Sequence, residues 1–164
     1  MAPVFEDPEF NELKARVDAL EAKPEVKFKK LHPDAVIPQY QTSGAAGMDL
    51  VAIADTTLQP NQFVLVGTGL AMELPPGWEA QVRPRSGLAA IQGITVLNTP
   101  GTIDNDFRNE IKVILINHNG LYTVHKGDRI AQMVIAKAVQ ATVVESKELS
   151  DTKRGMGGFG STGV

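Results

Sequence analysis

The stretch that decides the fold is residues 97–117, which read LNTPGTIDNDFRNEIKVILIN. Its second half, residues 111–116, is aliphatic and β-branched, a composition typical of a buried strand. Pro100-Gly101 predicts a turn, which is followed by the polar residues 104–106 and the ring of Phe107. We expect a hairpin with an acidic tip, where the adjacent strand would hold reacting groups rigidly. Taken alone, the stretch more often means a solvated turn whose Asp and Asn side chains cap backbone groups.

Beyond this stretch, short apolar or alternating runs are separated by turns that contain Gly or Pro. Such a pattern is typical of an all-β sandwich or barrel. The turn at Asn119-Gly120 predicts a tight hairpin, and residues 86–91 predict one helical turn. The strands are expected at residues 26–31, 49–54, 62–72, 78–82, 95–98, 111–117, 129–138 and 141–144.

The first 25 residues differ from the rest because they have helical periodicity. Asp7 before Pro8 is a helix start, and Pro24 is a stop. One apolar stripe recurs at spacings of three and four, and it consists of Phe10, Leu13, Val17 and Leu20. The stripe fits either a helix docked on the domain or a short self-association seam. We favour docking, because the pattern covers under two heptads.

Composition excludes several classes of function. The 164 residues are 43% hydrophobic and 21% charged, which predicts one globular domain. The net charge of −3 argues against nucleic acid or an anionic membrane as the partner. The absence of cysteine excludes disulfides and suits a reducing compartment. The chain has neither a signal-peptide pattern nor an apolar run of the roughly 20 residues that span a bilayer, so we expect a cytoplasmic protein.

Two stretches predict an anion site with a nearby carboxylate. The sequence AGMDL places Asp49 at the head of a strand, where it is either part of a turn or able to hold a hydrated Mg²⁺. In the sequence RPRSGL, an arginine pair is followed by Ser86 and Gly87. Guanidinium forks, a hydroxyl and an open glycine backbone together favour a phosphate cradle over a merely solvated face.

Two further stretches carry polar residues in unusual places. Gln132 lies among apolar residues of the strand in GDRIAQMV, so it is either at an edge or directed at a ligand. The tail RGMGGFGST matches G-x-G-x-x-G, but a dinucleotide site needs a helix after it and the chain ends there. We expect a flexible arm that closes over a ligand, with Arg154 on phosphate and Phe159 stacked on a base.

In this order, the five motifs closely resemble those of the trimeric dUTPase (dUTP diphosphatase) family. They are AGMDL, PRSGLA, NTPGTIDNDFRNEIKV, GDRIAQMV and RGMGGFGSTG, and the match runs along residues 26 to 164. The resemblance implies a jelly-roll-like β-barrel that forms a homotrimer with shared active sites. It also implies Mg²⁺-dependent hydrolysis of dUTP to dUMP and pyrophosphate by water attack on the α-phosphate. This activity limits uracil in DNA and supplies dUMP for dTTP synthesis.

The resemblance also implies a division of the chain and a role for each residue. Residues 1–25, which lie outside the resemblance, are expected to be a helical extension, with 26–146 the catalytic barrel and 147–164 the arm. Asp104 activates the water, Asp49 holds Mg²⁺ through water, and Phe107 packs against the deoxyribose. The implied phosphate-binding residues are Arg85, Ser86, Gly87 and Gln132. The implied uracil-binding residues are Asn98, Gly101, Thr102, Ile103 and Lys112. The residues that the arm is implied to bring to the substrate when it closes are Arg154, Phe159, Gly160 and Ser161.

One residue departs from the family pattern, and two other functions compete. The family usually has tyrosine where this chain has Phe107, so the ring is kept and the hydroxyl is lost. A dCTP deaminase shares the barrel but needs a glutamate near the serine motif, and none lies between Arg83 and Thr99. A β-barrel interaction module with vestigial motifs is the other alternative. The chemical residues kept in all five motifs argue against it.

Overall fold

A computed structural model describes residues 7–21, 23–159 and 161. In this part of the chain one α-helix precedes eleven strands, and a helical turn (Leu88–Gln92) separates the sixth strand from the seventh. The elements are α1 (Pro8–Glu21), β1 (Lys27–Lys30), β2 (Met48–Val51), β3 (Thr56–Leu58), β4 (Phe63–Gly67), β5 (Leu70–Glu73), β6 (Trp78–Arg83), β7 (Ile94–Val96), β8 (Gly101–Ile103), β9 (Lys112–Asn117), β10 (Tyr122–Val124) and β11 (Arg129–Lys137).

All the strand pairs are antiparallel. A four-stranded sheet has the order β2-β11-β6-β8 and a three-stranded sheet the order β4-β9-β7, while β1-β5 and β10-β3 form two pairs. Alternate residues point inward, as Met48 and Leu50 do in β2, because strand side chains alternate between two faces. The inward residues form one buried core, so the predicted all-β, jelly-roll-like fold is confirmed.

The expected strand over residues 62–72 is two strands, because the chain turns a corner at Gly67-Thr68-Gly69. The buried Thr68 hydroxyl donates to the Ile111 carbonyl at 2.6 Å and accepts the Leu70 N–H at 3.3 Å. Gly69 has a φ of +64°, which glycine adopts without steric cost. These bonds replace ladder pairing at the corner, so β4 and β5 belong to different sheets.

The structure contradicts both predicted hairpins, the one with the acidic tip and the one at Asn119-Gly120, because the strands on either side of each turn do not pair with each other. Strand β8 pairs with β6, whereas β9 pairs with β4 and β7, so the acidic turn between β8 and β9 connects two sheets. The buried Ile111 fixes this crossing, since its N–H donates to the Leu70 carbonyl at 2.7 Å. Strand β10 likewise pairs with β3 rather than with β9, although Asn119-Gly120 lies between β9 and β10. Residues 141–144, which were expected to form a strand, form none, and Val143 is 92% exposed.

The crossing after β9 depends on the fully buried side chain of Asn117. Its Nδ2 donates to the carbonyls of Leu58 at 3.1 Å and Gly120 at 2.7 Å. Its Oδ1 accepts the Asn119 N–H at 3.0 Å. One amide therefore satisfies backbone groups on both sides of the crossing, where a two-strand ladder would otherwise do so.

We expect Asn117→Ala to lower the free energy of unfolding by about 1–3 kcal/mol, because it leaves buried backbone groups without partners. The measurement is urea unfolding at fixed protein concentration. Asn119→Ala is the matched control, since the bond that Asn119 makes to Asn117 uses only its backbone N–H. An unfolding midpoint for Asn117→Ala equal to that of the control would contradict this role.

Helix α1 begins as predicted but does not dock. The Asp7 carboxylate accepts the Glu9 N–H at 3.0 Å, which is the expected N-cap, and the helix ends at Glu21, before Pro24. Phe10 and Leu13 are more than half exposed and Val17 is 43% exposed, so the prediction that this stripe packs on the domain is wrong. The side chain of Leu20 lies outside the described part of the structure.

Candidate active site

Three motifs that are far apart in the sequence meet on the four-stranded sheet. Gln132 of β11 is the register partner of Asp49 in β2 on one side and of Arg83 in β6 on the other. Register partners across antiparallel strands project from the same face. Their neighbours along β2 and β6 are buried, so the three side chains share the outer face of the sheet. Pairing thus assembles the predicted phosphate-binding and metal-binding motifs in one place.

The Asp49 carboxylate holds two arginines in position. Its Oδ1 lies 2.9 Å from Arg85 Nε and its Oδ2 lies 3.2 Å from Arg129 Nη1. Arg85 Nη1 in turn donates to the Arg129 carbonyl at 3.0 Å. The Asp49 side chain is only 16% exposed, so these charge-assisted bonds are partly shielded from water. Arg129 lies in the motif GDRIAQMV, but sequence reasoning gave it no role.

Gln132 lies in a central strand, so the edge-strand interpretation of this residue is wrong. Its Nε2 donates to the Pro84 carbonyl at 2.9 Å, which fixes the loop that carries Arg85. Its Oε1 lies 2.6 Å from the point where a Cβ on Gly47 would stand. A side chain at position 47 would displace Gln132, which explains a glycine two residues before Asp49. In this chain, Gln132 fixes the loop in which the sequence predicted an anion cradle.

The end of this loop is open to a ligand. Ser86 and Gly87 are exposed at the start of the helical turn that the sequence predicted, and the turn continues through Leu88–Gln92. Gly87 has an ordinary helical φ of −64°, and a Cβ added to it would meet nothing within 4 Å. The chain's own fold therefore does not require glycine here. A glycine at an open position leaves the backbone accessible to close approach by a ligand.

A second group of predicted residues surrounds a cavity of about 310 Å³ between β8 and the outer face of β4 and β9. Leu65 and Ile114, cross-strand partners in β4 and β9, form an apolar wall. Phe107 lies at the cavity and is 41% exposed. The full lining is Leu65, Thr102, Ile103, Asp104, Phe107, Glu110, Ile111, Lys112 and Ile114.

The acidic turn that carries Asp104 is fixed by its own backbone and by an arginine. The Phe107 N–H donates to the Asp104 carbonyl at 3.2 Å. Arg108 Nη1 donates to the carbonyls of Asn105 at 2.6 Å and Phe107 at 3.1 Å. Asp104 also lines a second cavity of about 510 Å³ with Asp106. Asp104 thus lines two cavities, in a turn that is held by hydrogen bonds from Arg108. Sequence reasoning gave Arg108 no role.

Two further contacts involve residues next to this cavity, although Asn98 and Gly101 are not part of its lining. Glu110 accepts the Gly69 N–H at 3.0 Å and lies 3.5 Å from Lys112 Nζ, so it links the corner after β4 to the start of β9. The exposed Asn98 side chain covers Gly101, since its Nδ2 lies 3.1 Å from the place of a Cβ there. The alternation of Glu110 and Lys112 by two residues is a signal that could have identified the pair.

The described part of the arm makes no hydrogen bond to either group of residues. Arg154 Nε donates to the Gly157 carbonyl at 2.8 Å, and Phe159 is fully exposed. In the described part of the arm, residues 147–159 and 161, each hydrogen bond is to another residue of the same segment or to Ser146. Ser161 is exposed, and Gly160 lies outside the described residues.

No grouping of three or more His, Cys, Asp or Glu side chains that could hold a metal ion occurs in the described structure. Nor does any helix described here have both the length and the apolar character needed to cross a membrane.

An antiparallel β fold with two arginines held by one carboxylate, and with a separate cavity of about 310 Å³, has the features of a protein that binds a small phosphorylated ligand. Comparison with known proteins makes the class specific. Residues 34–163 match the family model described as dUTPase. The chain therefore belongs to the dUTPase family.

Curated relatives agree over nearly their whole length. The deoxyuridine 5'-triphosphate nucleotidohydrolase of Nautilia profundicola is 60% identical over 139 residues, covering 84% of this chain and 98% of that protein. The protein of the same name from Hydrogenobaculum sp. is 59% identical over 138 residues, covering 83% of this chain and 96% of its own length.

Solved structures share the fold. The dUTPase of Staphylococcus bacteriophage 80alpha with dUPNHPP superposes with a TM-score of 0.80 at 24% identity, covering 85% of this chain and 99% of that one. A dUTPase from phage phi11 of S. aureus, described for its coordination of a structural Mg(II) ion, gives 0.72 at 19% identity and covers 77% of this chain and 99% of its own. At these identities the likeness concerns the fold.

Proposed function

We propose that this chain hydrolyses dUTP to dUMP and pyrophosphate by attack of water on the α-phosphate. The observation that carries the proposal is 60% identity to a deoxyuridine 5'-triphosphate nucleotidohydrolase over 98% of that protein's length. The chain is an enzyme of the dUTP diphosphatase class. Its activity limits the uracil that enters DNA and supplies dUMP for dTTP synthesis.

The phosphate chain binds at the cradle on the four-stranded sheet. Arg85 keeps guanidinium N–H groups beyond those that bind Asp49 and the Arg129 carbonyl, so a fork remains for phosphate oxygens. The exposed Ser86 hydroxyl and Gly87 backbone N–H add donors of no net charge. Gln132 acts by holding the Pro84 carbonyl and hence the loop.

The nucleoside part of dUTP binds in the 310 Å³ cavity. Backbone groups of Gly101, Thr102, Ile103 and Lys112, with the Asn98 amide, read the oxygen and N–H pattern of uracil. A rigid hydrogen-bonding edge rejects bases with another pattern, because a mismatched base would leave buried polar groups without partners. Phe107 packs against the deoxyribose and occupies the volume that a ribose 2′-hydroxyl would need.

Asp104 orients and deprotonates the attacking water. It is in the cavity wall shared with the 510 Å³ space next to it, which gives water a route to the reacting phosphate. A carboxylate is a weak base, so most of the rate comes from positioning and from electrostatic stabilisation by the cradle. Arg108 supports this role because it holds the turn in one conformation.

The residues fit a magnesium ion that Asp49 holds through water. Both oxygens of this carboxylate already accept from arginines and its side chain is only 16% exposed, so it suits an outer contact. Mg²⁺ retains several waters and takes its other ligands from substrate phosphates. When bound, Mg²⁺ neutralises phosphate charge in the transition state.

The enzyme acts as a homotrimer with shared active sites. Two observations support this: within the described residues, no hydrogen bond or ion pair joins a cradle residue to a cavity residue, and none joins the arm to either group. Each site is completed by cradle, cavity and arm residues from different subunits. The arm contributes Arg154, Phe159, Gly160 and Ser161 when it closes. A measured native mass of one chain would contradict the assembly.

The enzyme works in the cytoplasm, which suits a chain without cysteine. Neither nucleic acid nor membrane is a partner, in keeping with the net charge of −3.

The test of function is pyrophosphate release from dUTP, dCTP, dTTP and UTP with and without Mg²⁺. We expect release from dUTP alone and only with the metal. Ammonia release from dCTP would instead identify a deaminase, and turnover of neither would indicate a binding module.

Phe107→Ala is expected to raise kcat/KM for UTP relative to dUTP by about tenfold to a hundredfold, because it opens the volume next to the 2′ position. The measurement is kcat/KM with each nucleotide. Phe107→Tyr is the control, since it keeps the ring and should leave the ratio unchanged. If Phe107→Ala leaves the UTP/dUTP ratio at the native value, selectivity resides in another residue.

A further inference from the structure

Helix α1 (Pro8–Glu21) presents an apolar face that its own domain does not cover. Phe10 is 62% exposed, Leu13 57% and Val17 43%. A helix of 14 residues is only marginally stable by itself in water, so burial of this face would stabilise it. The N-cap at Asp7 shows that the sequence nevertheless specifies a helix. The face therefore needs a partner.

The spacing of the stripe is that of a coiled-coil seam. With Phe10 at heptad position a, Leu13 falls at d and Val17 at the next a. Leu20 falls at the second d by sequence spacing. The stripe thus has two a residues and two d residues in succession, and all four are apolar. A helix that packs on a globular core usually shows a wider apolar face.

The charged residues beside the stripe complement a second copy of the same helix. Glu9 and Arg16 fall at g positions, and Lys14 and Glu21 fall at e positions. In a parallel pair, each g residue faces the e residue five places later on the partner helix. Glu9 then faces Lys14, and Arg16 faces Glu21, so both pairs are attractive.

We propose that the α1 helices of neighbouring copies of this chain associate in parallel and in register through Phe10, Leu13, Val17 and Leu20. The orientation rests on the proposed homotrimer. Residues 22–26 span at most about 18 Å, so they would hold the C-terminal ends of the helices close to one common assembly. The partner is a second copy, and the inference concerns a segment that lies outside the residues matched by the family model.

The alternative binding site for the apolar stripe of α1 is an apolar cavity of about 700 Å³ in the same chain. Its lining includes Phe28 of β1, Trp78 of β6 and Tyr40. Lys23 is the one charged residue in that lining, as far as the described residues show. The cavity therefore offers no complement to the two rows of charge on α1, whereas a second α1 complements both.

Single-cysteine variants test the proposal cleanly, because the chain has no cysteine of its own. Leu13→Cys puts a thiol in the seam, and the matched control Ala15→Cys puts one at position f, on the opposite face. Both positions are exposed, so the fold of the domain is not at risk. Under mild oxidation of the full chain, we expect Leu13→Cys to form disulfide-linked dimers at least about tenfold faster than Ala15→Cys. The rate should not change on dilution, since the helices are held in one assembly.

Charge reversal provides the second variant. Lys14→Glu in the Leu13→Cys chain should slow dimer formation, because it places two acidic residues opposite each other. Adding Glu9→Lys should restore the rate. An unchanged rate in Lys14→Glu would overturn the proposed register of the charges.

The remaining outcomes separate this inference from the proposed function. Equal rates of dimer formation for Leu13→Cys and Ala15→Cys would overturn the inference. A Leu13→Cys thiol that is protected from thiol reagents but forms no dimer would also overturn it, because that result would mean that α1 docks in the cavity of its own chain. Preferential linking of Leu13→Cys to Val17→Cys in mixed samples would mean antiparallel helices and overturn the orientation. Native mass and dUTP turnover, measured on the same samples, report on the trimer and the enzyme independently.

Discussion

Replacing Asp104 by asparagine is expected to lower kcat by about 10²–10⁴ while the affinity for dUTP changes little, because loss of one general base has an effect of that size. The amide keeps the volume of the side chain, so the turn held by Arg108 should be retained. Single-turnover kinetics and equilibrium dUTP binding, measured together, distinguish lost chemistry from lost binding. The melting temperature of the variant should equal that of the native chain.

Asp106→Asn is the matched control for this substitution. Asp106 lies in the same turn and lines the larger cavity with Asp104, but it is not among the residues that line the 310 Å³ cavity. We expect it to keep most of the native kcat. If Asp104→Asn turns over at close to the native rate and Asp106→Asn does not, then Asp106 is the base and the nucleoside binds on the other side of the turn.

Removal of the arm after Lys153 is expected to lower kcat/KM by about a hundredfold or more while the protein folds and keeps its native mass. The strands of the core end at Lys137, so the truncated segment contributes nothing to the sheets. Arg154 and Phe159 would supply phosphate charge and base stacking only on closure, when water is also excluded. Met156→Ala in the full chain is the control, because Met156 is as exposed as Phe159 but has no proposed role.

Mixed trimers test whether the arm serves a neighbouring site. Truncated chains combined with full-length Asp104→Asn chains can form a site that has an intact Asp104 and an intact arm only if these come from different chains. We expect partial recovery of dUTP hydrolysis in such mixtures. Well-mixed trimers without recovery would mean that the arm closes over a site whose Asp104 lies in the same chain, and the shared-site proposal would then be wrong.

Local sequence determined a good part of this protein. Runs of aliphatic and β-branched residues identified the longer strands, because six or nine such residues bounded by turns are typical of a buried strand. Asp7 before Pro8 identified the start of α1, since an N-cap acts within one turn of helix. The motifs around Asp49, Arg85, Asp104 and Gln132 indicated the family and the candidate site residues, because the sequence shows directly which side chains are present.

Only the tertiary structure decided how these parts meet. Strands β3, β8 and β10 have three residues each, too few to show a period, and they form because other strands pair with them. The apparent hairpins became crossings between sheets, since Thr68 and Asn117 supply hydrogen bonds from residues distant in the chain. The position of Gln132 in a central strand is likewise set by its neighbours β2 and β6.

The same limit applies to the site. Arg129 is placed by an ion pair with Asp49, which lies 80 residues earlier in the chain, so no local pattern could assign it. The stripe of α1 shows the converse: its sequence specifies an amphipathic helix, but amphipathicity does not name the surface that covers it. The sequence by itself determined which residues are available for chemistry and where helix and longer strands form. Pairing over long distances decided which of those residues stand together, because contact energies depend on three-dimensional proximity.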